Sequence, residues 1–77
     1  MMNTLENSLP NVYVRVAEIK DDVLKPKLLE MGFYVGKLVR VVFKAPFGDP
    51  IAVDLGSYVL SMRKDEAALV VIEAEEK

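Results

Sequence analysis

The chain has 77 residues, 52% of them hydrophobic, and its 10 basic against 12 acidic side chains leave a net charge of −2. It contains neither Cys nor His, which excludes disulfides, thiolate or imidazole metal ligands and the usual nucleophile–base pairs. One small domain is expected, hiding only roughly 60% of the surface its unfolded chain exposes, so its stability rests on apolar packing or on self-association into a homo-oligomer.

In chain order, residues 1–8 are polar and read as a flexible leader. Val12, Val14 and Val16 alternate with Tyr13 and Arg15, the period of a strand with one wet face, running to Ile19. Asp21 and Asp22 mark a helix start, with acids where the helix dipole favours them. Pro26 is compatible with a first helical turn but not an interior. The helix is therefore short; Leu24, Leu28 and Met31 form its buried stripe and Gly32 its left-handed cap.

A second strand follows at Leu38–Lys44, with Val39, Val41 and Phe43 facing the core and Arg40 and Lys44 facing water. Ala45–Pro50 turns the chain into a third strand, where Ile51, Val53 and Leu55 alternate with Ala52 and Asp54. Gly56-Ser57 is a two-residue hairpin turn, and Tyr58, Leu60 and Met62 oppose Val59, Ser61 and Arg63 in a fourth strand. Lys64–Ala67 forms a single helical or 3₁₀ turn. Leu69–Glu73 is apolar on both faces and belongs in the middle of a pairing or at a chain-closing seam. Ala74–Lys77 is a charged, flexible tail.

Five short strands with one short helix between the first two describe an all-β domain, a small and partly closed β-barrel spanning residues 9–73. Its expected core is Val14, Val16, Leu28, Val39, Val41, Phe43, Ile51, Val53, Leu60 and Met62.

The acid pairs Asp21/Asp22 and Asp65/Glu66, with Glu73, Glu75 and Glu76, lack the six to eight converging oxygens that a calcium site needs. They read as helix-start charges and a solvated tail, so no metal, cofactor or catalytic residue is assigned, and oxygen-only ligands would bind iron weakly at most. Arg40, Lys44, Arg63 and Lys64 read as solubilising charges; a chain of net negative charge is poorly equipped for nucleic acid. The Gly32/Gly36 pair is a turn, since no phosphate-loop helix follows it. No apolar run approaches the ~20 residues that span a bilayer, and the first residues lack the pattern of a signal peptide, so a cytoplasmic protein without direct membrane insertion is expected.

The turn aromatics admit two readings. Phe33, Tyr34 and Phe47 either plug the open ends of the barrel or stand outside it as interface anchors. The second reading gives a partner-binding set of Met31, Phe33, Tyr34, Pro46 and Phe47.

The run Lys27-Leu-Leu-Glu-Met-Gly-Phe-Tyr-Val-Gly36, followed by Ala45-Pro-Phe-Gly-Asp-Pro50 and Leu60-Ser-Met-Arg-Lys-Asp-Glu-Ala67, resembles the FeoA family. The resemblance covers about Leu9 to Glu73, with Val35 where the family commonly has Pro and Lys27 where Arg is common. It implies an SH3-like barrel and a small non-enzymatic accessory protein of bacterial ferrous iron transport. It further implies association with, and modulation of, a large membrane-embedded, GTP-hydrolysing iron permease. The alternative it leaves open is a metal- or ligand-sensing domain, as at the C-terminus of metal-dependent repressors; with no DNA-binding helices ahead of the barrel, a complete repressor is not expected.

Overall fold

The computed structural model describes residues 3–75. Six strands, β1 (Asn3–Thr4), β2 (Tyr13–Ile19), β3 (Leu38–Lys44), β4 (Ile51–Asp54), β5 (Val59–Met62) and β6 (Val70–Ala74), form one antiparallel sheet in the order β1-β6-β2-β3-β4-β5. Two short helices, α1 (Leu24–Glu30) and α2 (Lys64–Ala67), and a 3₁₀ turn at Leu5–Asn7 complete it. β6 lies between β1 and β2, the central place that its two-faced apolar pattern requires.

No ladder joins the edge strands β1 and β5; helical turns link the two ends of the sheet instead. The 3₁₀ turn that follows β1 packs on α2, which follows β5. Lys44 Nζ donates to the Glu6 carbonyl at 2.8 Å, and Lys64 Nζ lies 3.8 Å from the Glu6 carboxylate. α1 is tied down at two points: Lys27, at its middle, pairs with Glu66 of α2 at 3.7 Å, and Gly32, just past its end, faces the Tyr58 hydroxyl at the β4–β5 turn.

The local reasons for α1 are explicit. The Asp21 carboxylate accepts the backbone N–H groups of Val23 and Leu24, at 2.8 and 3.2 Å, satisfying donors that a helix start leaves free. At the other end the Gly32 N–H donates to the Leu29 carbonyl and the Phe33 N–H to the Leu28 carbonyl. This is a Schellman cap, and it needs the positive φ of 84° that Gly32 adopts. The motif's usual apolar contact is met by Phe33 and Leu28, which are both buried in one core cluster.

The expectations for the termini and for β3 require correction. The segment taken as a flexible leader is part of the fold from Asn3 onward: β1 pairs with β6, and Leu5 is completely buried. A polar-looking run hid one apolar anchor, and the strand count rises from five to six. At the other end Ala74 closes β6, and Glu75 receives Arg15 through two contacts of 2.7 and 3.0 Å; Met1, Met2, Glu76 and Lys77 lie outside the described residues.

Phe43 is the second correction: it is 57% exposed rather than in the core. Val41 pairs with Val53 but Phe43 with Ala52, because a bulge at Val42 inserts one residue into β3. One extra residue flips every later side chain to the opposite face. The same slip sets Lys44 opposite buried Ile51, while Arg40 lies opposite Asp54; the two cations therefore do not share a face. A matching bulge in β2 after Val16 lets Val16 and Ile19, three residues apart, both point inward.

The rest of the expected core is buried, except that Leu60 packs only partly against it. Leu5, Phe33, Leu55, Ala67, Val70 and Ile72 join it.

Candidate interaction surface

The expected set of contact residues is divided by β3. Tyr34 lies in the loop that enters this strand and Phe47 in the corner that leaves it. Seven residues at about 3.3 Å each put roughly 20 Å between them. Met31 is half-buried against the core, and Phe33 is fully buried, so neither the single patch nor Phe33's part in it survives. Phe33 is a plug; Tyr34 (45% exposed), Pro46 and Phe47 (92% exposed) are surface residues.

The corner is built to present its aromatic. The Gly48 N–H donates to the Ala45 carbonyl at 2.7 Å and the Ala45 N–H to the Pro50 carbonyl at 3.1 Å. The Asp49 carboxylate accepts the Lys64 N–H of α2 at 3.0 Å. These bonds fix the loop, and Phe47 projects from it as a knob.

At the opposite end the surface is concave. A groove of about 260 Å³ is lined by Ile19, Lys25, Leu29, Phe33, Tyr34 and Val35. Phe33 and Ile19 are buried, whereas Leu29, Tyr34 and Val35 each stand about half in solvent. Lys37 sits above the Tyr34 ring with Nζ 5.8 Å from its centroid, a cation–π distance. Leu29, Val35 and Lys25 were not among the expected contact residues. Leu29 had a legible signal: at 100° per residue it stands far around α1 from the Leu24/Leu28 stripe, so it must face outward.

The acidic clusters are committed to local structure. Asp21 caps α1; Glu66 accepts the Arg63 N–H at 2.9 Å and pairs with Lys27. Among the described residues no group of three or more His, Cys, Asp or Glu side chains is placed to hold a metal ion. No described helix is long and apolar enough to cross a membrane.

Across the outer sheet face, Arg40 bonds Asp54 at 2.8 Å and lies over the Tyr13 ring at 4.9 Å. The Gly56 N–H and then Arg40 hold the Asp54 carboxyl below its ordinary value of 3.8. A depressed carboxyl contributes stability above its unfolded value that is lost as pH falls through the lower folded value. Acid unfolding should therefore be less steep below about pH 4 in Asp54→Asn than in the parent chain. Equal slopes in paired acid titrations would show that this carboxylate carries no linkage.

An antiparallel sheet of this size, closed by helical turns, is a small SH3-like domain. The chain belongs to the FeoA family: the model described as the FeoA domain matches residues 4–74. Among solved structures it is similar to a FeoA-like protein of Clostridium acetobutylicum, with 32% identity and a TM-score of 0.86, covering 99% of this chain and 90% of that one. It is likewise similar to the FeoA of Stenotrophomonas maltophilia, a prokaryotic SH3 domain protein solved complexed with zinc. That match has 32% identity and a TM-score of 0.80 over 92% of this chain and 89% of the other. A curated relative, the Fe(2+) transport protein A/Fe(2+) transporter FeoB fusion protein of Porphyromonas gingivalis, is 39% identical over 51 residues. Those residues are 66% of this chain but only 6% of the fusion's length.

Proposed function

We propose that this domain is a cytoplasmic, non-catalytic interaction module that docks on a membrane-embedded, GTP-hydrolysing ferrous iron permease and modulates iron uptake. The observation that carries the reading is the fusion relative, in which a segment like this one shares a chain with an Fe(2+) transporter. Covalent linkage of two modules raises their effective concentration, an arrangement useful to partners that act together. The surface agrees with a docking role. It offers half-exposed Tyr34 above an apolar groove at one end and exposed Phe47 at the other, the residue class enriched at interface anchors.

Tyr34 is the first residue to test, because its ring can be buried on binding while its hydroxyl tolerates water in the free domain. Tyr34→Ala should weaken association with the permease's cytoplasmic portion by about 1–3 kcal/mol and leave the melting temperature nearly unchanged. Calorimetry and a thermal melt on the same preparations check both halves. Full affinity in the variant would move the interface away from this end of the barrel; no association by the parent chain would remove the docking reading itself.

A further inference from the structure

The two ends of the domain differ in charge as well as in shape. Around the Phe47 corner the cations have partners: Lys64 meets Glu6, Arg63 meets Asp65, and Lys44 donates to the Glu6 carbonyl. At the groove they do not. Lys25, the one charged residue of the lining, and Lys37, above the Tyr34 ring, make no ion pair among the described residues. The acids nearest Lys25 in sequence, Asp21 and Asp22, make no ion pair with it; Asp21 caps α1 instead, and Glu30 stands 100° beyond Leu29, on the side of the helix away from Lys25. The groove is thus an apolar slot beside two uncompensated cations.

Its size limits the occupant. Sites for small molecules and cofactors usually enclose about 300–1,000 Å³, and this groove holds about 260 Å³, room for one bulky side chain. We infer that the groove takes a short acidic peptide segment: one large apolar side chain lies between Leu29, Tyr34 and Val35, and flanking carboxylates meet Lys25 and Lys37. The inference rests on the docking reading and specifies the chemistry of the partner. Charge of this kind chiefly steers encounter and rejects wrong partners, while the buried side chain supplies the hold.

The test uses the full chain and two blocked synthetic peptides, one of Glu, Leu and Phe and one with Lys in place of every Glu. Isotope-edited NMR titration should show saturable shifts at Leu29, Tyr34 and Val35 with the acidic peptide, weakening as salt is raised. Lys25→Glu combined with Lys37→Glu should lower its affinity about tenfold or more and restore binding to the Lys peptide. Lys25 is exposed and Lys37 half-buried, and circular dichroism verifies the fold. Equal binding of the two peptides, indifference to the charge reversal, shifts centred on Phe47, or no saturable shift would each overturn the inference. So would concentration-dependent self-association of the peptide-free chain lost in Phe47→Ser, which would make the knob of a second copy the occupant. Capture of the permease's cytoplasmic portion, run in parallel, separates the two readings. If the permease binds the charge-reversed chain undiminished, the acidic-segment inference fails and docking stands. If the acidic peptide binds and the permease does not, docking fails and the groove chemistry stands.

Discussion

Val41→Asp should leave the domain unfolded at room temperature. Val41 is completely buried, opposite Val53, which is also completely buried, at the centre of the β3–β4 pair. Among the described residues no cation lines that part of the core. A carboxylate there must either stay ionised in an apolar medium or take up a proton, and each route costs several kcal/mol. A chain of this length has only about 4–12 kcal/mol of stability to lose. Val59→Lys is the control, because Val59 is exposed in the same sheet and lies opposite Asp54, where a cation meets no like charge, and surface changes usually stay within about 0.5 kcal/mol. Far-ultraviolet circular dichroism and a thermal melt distinguish the two. A cooperative transition in Val41→Asp close to that of the parent would refute the packing described for β3.

The second large effect belongs to a residue in a segment that looks dispensable. Leu5→Ala should destabilise the domain by about 2–5 kcal/mol, the range for truncating a buried leucine. At this size that lowers the melting temperature by roughly 10–30 °C. Leu5 starts the 3₁₀ turn that packs on α2 and β6, so its loss loosens the join between the two ends of the sheet. Leu9→Ala, at a strongly exposed position four residues on, should be nearly silent. If both variants melt like the parent, the N-terminal segment is only draped over the sheet and contributes no closure.

Much of the fold was legible in the chain because its punctuation has direct physical meaning. Gly32 spells a left-handed helix cap, and the Ala45–Pro50 corner and the Gly56-Ser57 tip fall where the strands end. The Lys64–Ala67 turn forms as expected. Two-faced apolar character left the last strand a place between neighbours or at a seam, and the sheet puts it between β1 and β2. The site was legible only in part. Tyr34, Pro46 and Phe47 are on the surface as turn residues should be, yet Phe33, one position from Tyr34, is buried. What separates them is the cap itself: the residue after Gly32 packs back on Leu28, and the next stands outside.

The sequence by itself determined the class of domain, the order of its elements, most of its core and its family. Those properties follow from period, turn chemistry and composition, which act over a few residues at a time. Tertiary structure alone decided the rest. A bulge at Val42 sent Phe43 outward and put Arg40 and Lys44 on opposite faces, because register is a property of two strands together. Leu5 became core only because β1 finds β6 at the far end of the chain. Tyr34 and Phe47 came to lie at opposite ends of the domain because a whole strand runs between the loops that carry them, and no local pattern records where the far end of a strand will point.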